Sequence, residues 1–81
     1  MDLIDMAGRR LELWQKNGPR ITFVAAEDRD QSQFTARLDP EINLGDLILC
    51  GFQLCQVSDL RKDPSTQTFR LKHVCCYWGN P

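Results

Sequence analysis

The chain has 81 residues, 42% of them hydrophobic and 26% charged. Two separate cores would leave roughly 40 residues each, near the limit for unaided folding, so one folded domain over residues 1–81 is expected and charge-rich disorder is excluded. Ten Lys and Arg against eleven Asp and Glu give a formal net charge of −1. That balance excludes a global positive field toward nucleic acid or membrane and leaves any anionic partner to a local patch.

Residues 1–8 begin acidic, with Asp2 and Asp5 around Leu3, Ile4 and Met6. They lack the basic start and apolar centre of a secretory signal, so a cytoplasmic location is expected. The segment fits a short helical turn or an extended lead-in. Next, Arg9–Gln15 and Arg20–Ala26 flank Lys16-Asn17-Gly18-Pro19. The Asn-Gly pair tolerates positive φ and suits a tight reversal, which predicts a hairpin with Leu11 and Leu13 on one face of its first arm and Ile21, Phe23 and Ala25 on one face of its second.

Glu27–Ser32 is polar and turn-prone, and Gln33–Leu38 then alternates as a third strand with Phe34, Ala36 and Leu38 inward. Asp39–Asp46 offers one helical turn, with Asp39 as its N-cap, Pro40 at the first helical position and Gly45 as the stop. Leu47–Val57 is a long apolar stretch with Gly51 at its middle, read as one bent strand or two short ones. Its apolar part is far shorter than the roughly 20 residues that span a bilayer, so no membrane partner is expected. Ser58–Ser65 reads as an exposed loop broken by Asp63-Pro64. The last strand, Thr66–Trp78, puts Phe69 and Leu71 on one face and Thr68, Arg70 and Lys72 on the other, with a phase shift at His73 that a bulge would explain.

Five β segments and one short helical insert suit an all-β fold, a small five-stranded barrel that removes exposed edges. The expected core is Leu11, Leu13, Ile21, Phe23, Phe34, Ala36, Leu38, Leu47, Leu49, Phe52, Leu54, Phe69, Leu71 and Val74. The four cysteines, Cys50, Cys55, Cys75 and Cys76, lie in apolar strand-like segments. Their Cys-x4-Cys and His73-x-Cys75-Cys76 spacing departs from paired zinc knuckles, and adjacent Cys75 and Cys76 point to opposite faces of a strand. Buried free thiols are therefore preferred to staples or a metal site, and no cofactor is expected.

The hairpin around Asn17-Gly18, the insert after the third strand and the run Leu44-Gly45-Asp46-Leu47-Ile48-Leu49-Cys50-Gly51 together resemble an OB-fold single-stranded nucleic-acid-binding domain, over roughly residues 9–78. An SH3-like barrel shares the Gly-Asp entry into an apolar strand and is the alternative. The resemblance implies an OB-like barrel that binds single-stranded DNA or RNA without catalysis. Binders of this kind pair cations for phosphates with aromatic platforms for bases. Here strand parity offers Arg10, Trp14, Arg20, Arg37, Arg70 and Lys72 as a nucleic-acid-binding wall, and seven of the ten cations are arginine, whose planar fork suits phosphate and stacking. Without basic excess, affinity should be modest and fall steeply with salt.

A second class of function is a protein-interaction barrel, a subunit or adapter that pairs with another protein or with itself. The near-neutral charge, the apolar Leu47–Leu54 stretch and Tyr77-Trp78 favour it. Catalysis is disfavoured. His73 and Cys75 lack a third orienting group, Asp28-x-Asp30 lacks the ligands and glycine of a calcium loop, and no phosphate-cradling glycine motif is present.

Overall fold

Leu11 and Leu13 alternate with Arg10, Glu12 and Trp14, and the same period recurs in several of the six strands that the chain forms. The computed structural model describes residues 8–15, 17–28 and 33–74. Its strands are β1 (Gly8–Trp14), β2 (Ile21–Glu27), β3 (Phe34–Arg37), β4 (Leu47–Cys50), β5 (Gln53–Lys62) and β6 (Thr66–His73). They close into a barrel in the order β1-β2-β3-β6-β5-β4, and all neighbours are antiparallel. Two three-stranded meanders are thus sealed to each other along β1–β4 and β3–β6. One end of the barrel carries the start of β1, the β2–β3 link, the β4–β5 turn and the end of β6. The other carries the β1–β2 turn, the connection 38–46 and the β5–β6 turn.

Directly opposed residues in neighbouring strands share a face of the sheet, so the register sets what is inside. Leu11 pairs with Phe23 and Leu13 with Ile21. Phe34 pairs with Phe69, and their rings stack at 5.5 Å between centroids with 14° between planes. Around them lie Ala25, Ala36, Ile42, Ile48 and Val57. Burial of each large aliphatic or aromatic side chain contributes about 1.5–3 kcal/mol, and a continuous core of this kind is what so short a chain has to offset its chain entropy.

The expected all-β barrel is therefore present, with six strands in place of five. Gly51 takes φ +64° and, with Phe52, forms a two-residue turn between Cys50 and Gln53, which splits the Leu47–Val57 stretch into two hairpin arms. A positive φ at the first central position is what mirror-image hairpin turns require. Ser58–Lys62, expected as loop, continues β5. Its partner is β6, where Asp59 opposes Arg70, Leu60 opposes Phe69 and Arg61 opposes Thr68. The register shift falls between Val57 and Asp59, and the Ser58 hydroxyl donates to the Arg70 carbonyl at 3.4 Å. The ladder then runs without interruption to Cys55 opposite His73, so no bulge lies at His73.

The expected helical insert is absent, and no helix occurs among the described residues. The reason is Gln67, fully buried beside the connection. Its Nε2 donates to the carbonyls of Arg37 at 2.8 Å and Pro40 at 2.7 Å, and its Oε1 accepts from the Ile42 N–H at 3.1 Å. A side chain thus takes main-chain groups that a helical turn would have bonded internally. Beyond it, Asn43–Asp46 closes as a β-turn. Asp46 N–H donates to the Asn43 carbonyl at 3.1 Å, the Asp46 carboxylate accepts from the Asn43 N–H at 2.9 Å, and Gly45 sits at φ +87°. Glycine at the third position of a type II turn is the residue that meets this φ without strain.

The core differs from expectation in β4 and at two turns. Leu13 opposes Ile48, while Glu12 and Trp14 oppose Leu49 and Leu47. Ile48 is therefore inside, and Leu47 and Leu49 are half-buried on the outer wall. Ile42 replaces Leu38 in the core; Leu38 is exposed, and Phe52, at the hairpin tip, is 87% exposed.

Candidate functional site

The β1–β2 register places Trp14 across from Arg20, one step beyond the Leu13–Ile21 pair. The Arg20 guanidinium lies over the indole at 4.0 Å from its centroid. The indole N–H donates to Glu12 Oε1 at 2.8 Å, and Arg20 reaches the same oxygen at 3.8 Å. One outward patch thus joins cation, aromatic ring and carboxylate. Arg10 is exposed on β1 opposite Val24. Arg37 ends β3, exposed and opposite Thr66.

Arg70 and Lys72 are also outward and exposed, opposite Asp59 and Gln56. They lie on β6, three places from β1 around a ring of six, and so on the opposed wall. The six candidate residues form no single surface: Arg10, Trp14 and Arg20 sit together, Arg70 and Lys72 sit together across the barrel, and Arg37 stands between. Acids accompany several of the cations. Arg9 meets Glu27 at 3.2 Å, Lys62 meets Glu41 at 2.7 Å and Arg70 meets Asp59 at 4.0 Å, besides the Arg20–Glu12 pair. The Lys62 ammonium holds the Glu41 carboxyl below the usual carboxylate range. Each such pair cancels field that a phosphate would otherwise feel.

The barrel end that carries the β4–β5 turn holds a cleft of about 670 Å³, lined among others by Phe34, Cys50, Phe52, Cys55, Leu71 and His73, with the Arg9–Glu27 pair on its rim. Cys50 and Cys55 are free thiols there. Burial pushes both above the ordinary cysteine range, with smaller opposing effects from Arg9. A thiol held protonated is a poor nucleophile and a poor metal ligand, and no group of three His, Cys, Asp or Glu disposed to hold a metal ion occurs among the described residues. Cys75, Cys76, Tyr77 and Trp78 lie outside the described residues, as does Asp30.

Alternation did not reveal what the connection 38–46 buries and what it displays. It seals Ile42 in the core yet displays Leu38 and Leu44, with Leu44 65% exposed. Asp39 and Glu41 stand exposed on the same connection, and Asp63 on the neighbouring β5–β6 turn. The available signal was Gln67, two residues before inward Phe69, whose parity puts an amide inside next to whatever follows β3. Comparisons with models of protein families, with curated proteins and with solved structures give no match to this chain, so its function is read from these residues and their geometry.

Proposed function

We propose that this barrel is a non-catalytic protein-binding module, a subunit or adapter that docks through the end carrying residues 38–46. The observation that carries the reading is the pair Leu38 and Leu44, large apolar side chains left on the surface by a connection that buries its neighbour Ile42. Apolar groups rimmed by polar ones, here Asp39, Glu41 and Asp63, are the composition of an interaction patch. Small OB-like and SH3-like barrels suit such a role because a closed sheet presents its loops from a rigid frame. The separation of Arg10, Trp14 and Arg20 from Arg70 and Lys72, and the acids beside Arg20 and Arg70, favour a protein partner over a nucleic-acid strand.

Two assays on wild type and Leu44→Asp test this. Fluorescence anisotropy with labelled single-stranded DNA and RNA at low salt is expected to show no saturable binding. Affinity purification with mass spectrometry is expected to recover a defined protein with wild type and to lose it with Leu44→Asp. Salt-dependent oligonucleotide binding that Trp14→Ala weakens would overturn the reading in favour of a nucleic-acid-binding wall. A homodimer that Leu44→Asp dissolves in sedimentation would make the partner a second copy.

A further inference from the structure

β2 pairs with β1 along almost its whole length, from Ala26 opposite Gly8 to Ile21 opposite Leu13, but with β3 only through Ala25, Ala26 and Glu27. Ala25 turns its own main-chain groups to β1, so its pairing with Ala36 is carried by the flanking residues, Ala26 with Thr35 and Val24 with Arg37. Among the described residues of β2, only Ile21–Phe23 therefore has a strand on one side alone. In an antiparallel ladder, alternate residues aim their N–H and C=O to opposite neighbours. The Asp28 N–H donates to the Gln33 carbonyl at 3.0 Å, which fixes the even-numbered residues of β2 as those facing β3. Thr22 thus directs its main-chain donor and acceptor away from β1, into the space that β3 vacates.

That space exists because Gln67 and Ile42 draw the chain away from β2. The Gln67 amide holds the Arg37 and Pro40 carbonyls, and the fully buried Ile42 pulls residues 38–42 toward the core. What is left is a slot of about 360 Å³, with Ile21, Thr22 and Val24 on one side and Arg37, Asp39 and Pro40 on the other. Its volume falls in the range of small ligand sites, about 300–1,000 Å³. Its open edge, Ile21–Phe23, is about three residues long, roughly 10 Å at strand rise. Ile21–Ala26 contains no charge, proline or glycine, so it carries none of the sequence devices by which exposed edges are kept from pairing.

We infer that the slot between β2 and residues 37–40 binds an extended peptide segment by strand addition, antiparallel to β2, with main-chain hydrogen bonds to Thr22. The inference rests on the protein-binding reading above and names the form its partner takes. A single extended chain suits the slot better than a second barrel, because Arg37, Asp39 and Pro40 line its far side. A second copy of the barrel would bring its own β1 and its own residues 37–40 against that far wall. In strand addition the ladder supplies affinity and alternate side chains supply specificity. The occupant's residue opposite Phe23 turns inward beside Ala36 and is small and apolar, while its neighbours turn outward and are β-branched.

The test is a selection from a displayed library of random octapeptides on the wild-type chain, followed by titration of selected peptides with amide NMR. Alternating β-branched peptides are expected to shift the Thr22, Phe23 and Val24 resonances. Affinity should fall at least tenfold for Thr22→Pro, which removes the slot-facing N–H without touching the β1 ladder, and stay within twofold for Thr22→Val, which keeps it. Methylating successive peptide nitrogens one at a time gives a second readout that needs no change in the barrel: alternate positions should abolish binding. Peptides that bind Thr22→Pro equally, or tolerate methylation everywhere, would overturn the inference, as would a selection that yields no binder. Loss of the protein partner with Leu44→Asp but not with Thr22→Pro would leave the protein-binding reading standing and remove this one.

Discussion

Gln67 is the residue on which the connection depends. Its amide makes three main-chain hydrogen bonds to residues 37–42 from a fully buried position, so Gln67→Leu takes those three hydrogen bonds away. The expected loss is about 2–4 kcal/mol, read from urea denaturation; a variant within 0.5 kcal/mol of wild type, roughly the scatter of neutral surface changes, would remove the latch. Ile42→Ala, which empties the site that the latch fills, should cost about 2–5 kcal/mol. Cys50 and Cys55 yield a pH prediction of fixed sign. Burial raises both thiols, so the unfolded chain releases those protons first, and stability present at neutral pH declines as pH rises past about 8.5. Melting curves between pH 7 and 10 should show the decline, and the double variant Cys50→Ala/Cys55→Ala should flatten it.

At the scale of the strand, what the sequence made legible depended on whether one face met water. β1, β2 and β3 alternate because they do, as β6 does from Phe69 on, and Leu11, Phe23, Phe34 and Phe69 are inside as their period requires, whereas Thr68, expected outward, is buried beside Gln67. Leu47-Ile48-Leu49 has no period to read, and only the pairing of Ile48 with Leu13 chooses its inner face. Ser58–Lys62 reads as loop because its composition is mostly polar; its strand conformation comes from β6 across the ladder. Asp39 and Pro40 carry true local helix signals that a distant glutamine overrides. The glycines separate the same two influences. Gly51 and Gly45 hold positive φ, where a side chain costs roughly 1–2 kcal/mol, and at Gly51 an added Cβ would also meet the Arg9 guanidinium at 3.3 Å. Gly51→Ala is expected to lower stability by about that much, whereas Gly18→Ala, which meets only the movable end of Gln15, should change it by less than about 0.5 kcal/mol. Equal losses in thermal unfolding would contradict the distinction.

For the molecule as a whole, the candidate site was legible only in its local part. The Trp14–Arg20 stack follows from hairpin register, but the order in which strands close the ring does not follow from alternation, and it is that order which sets Arg70 and Lys72 opposite β1. The exposed Arg20–Trp14 contact should contribute about 0.5–1 kcal/mol, so Arg20→Ala is expected to shift the urea midpoint slightly and leave the fold intact. The same order has a consequence for assembly. Each meander supplies three consecutive strands, and the connection 38–46 is the single covalent link between the two halves. Removing Leu44 and Gly45 would take out the β-turn by which that tether reverses, and strain in a short hinge of this kind favours exchange between molecules. The first half of one molecule would then close on the second half of another, so that the same two seams form reciprocally in an exchanged dimer.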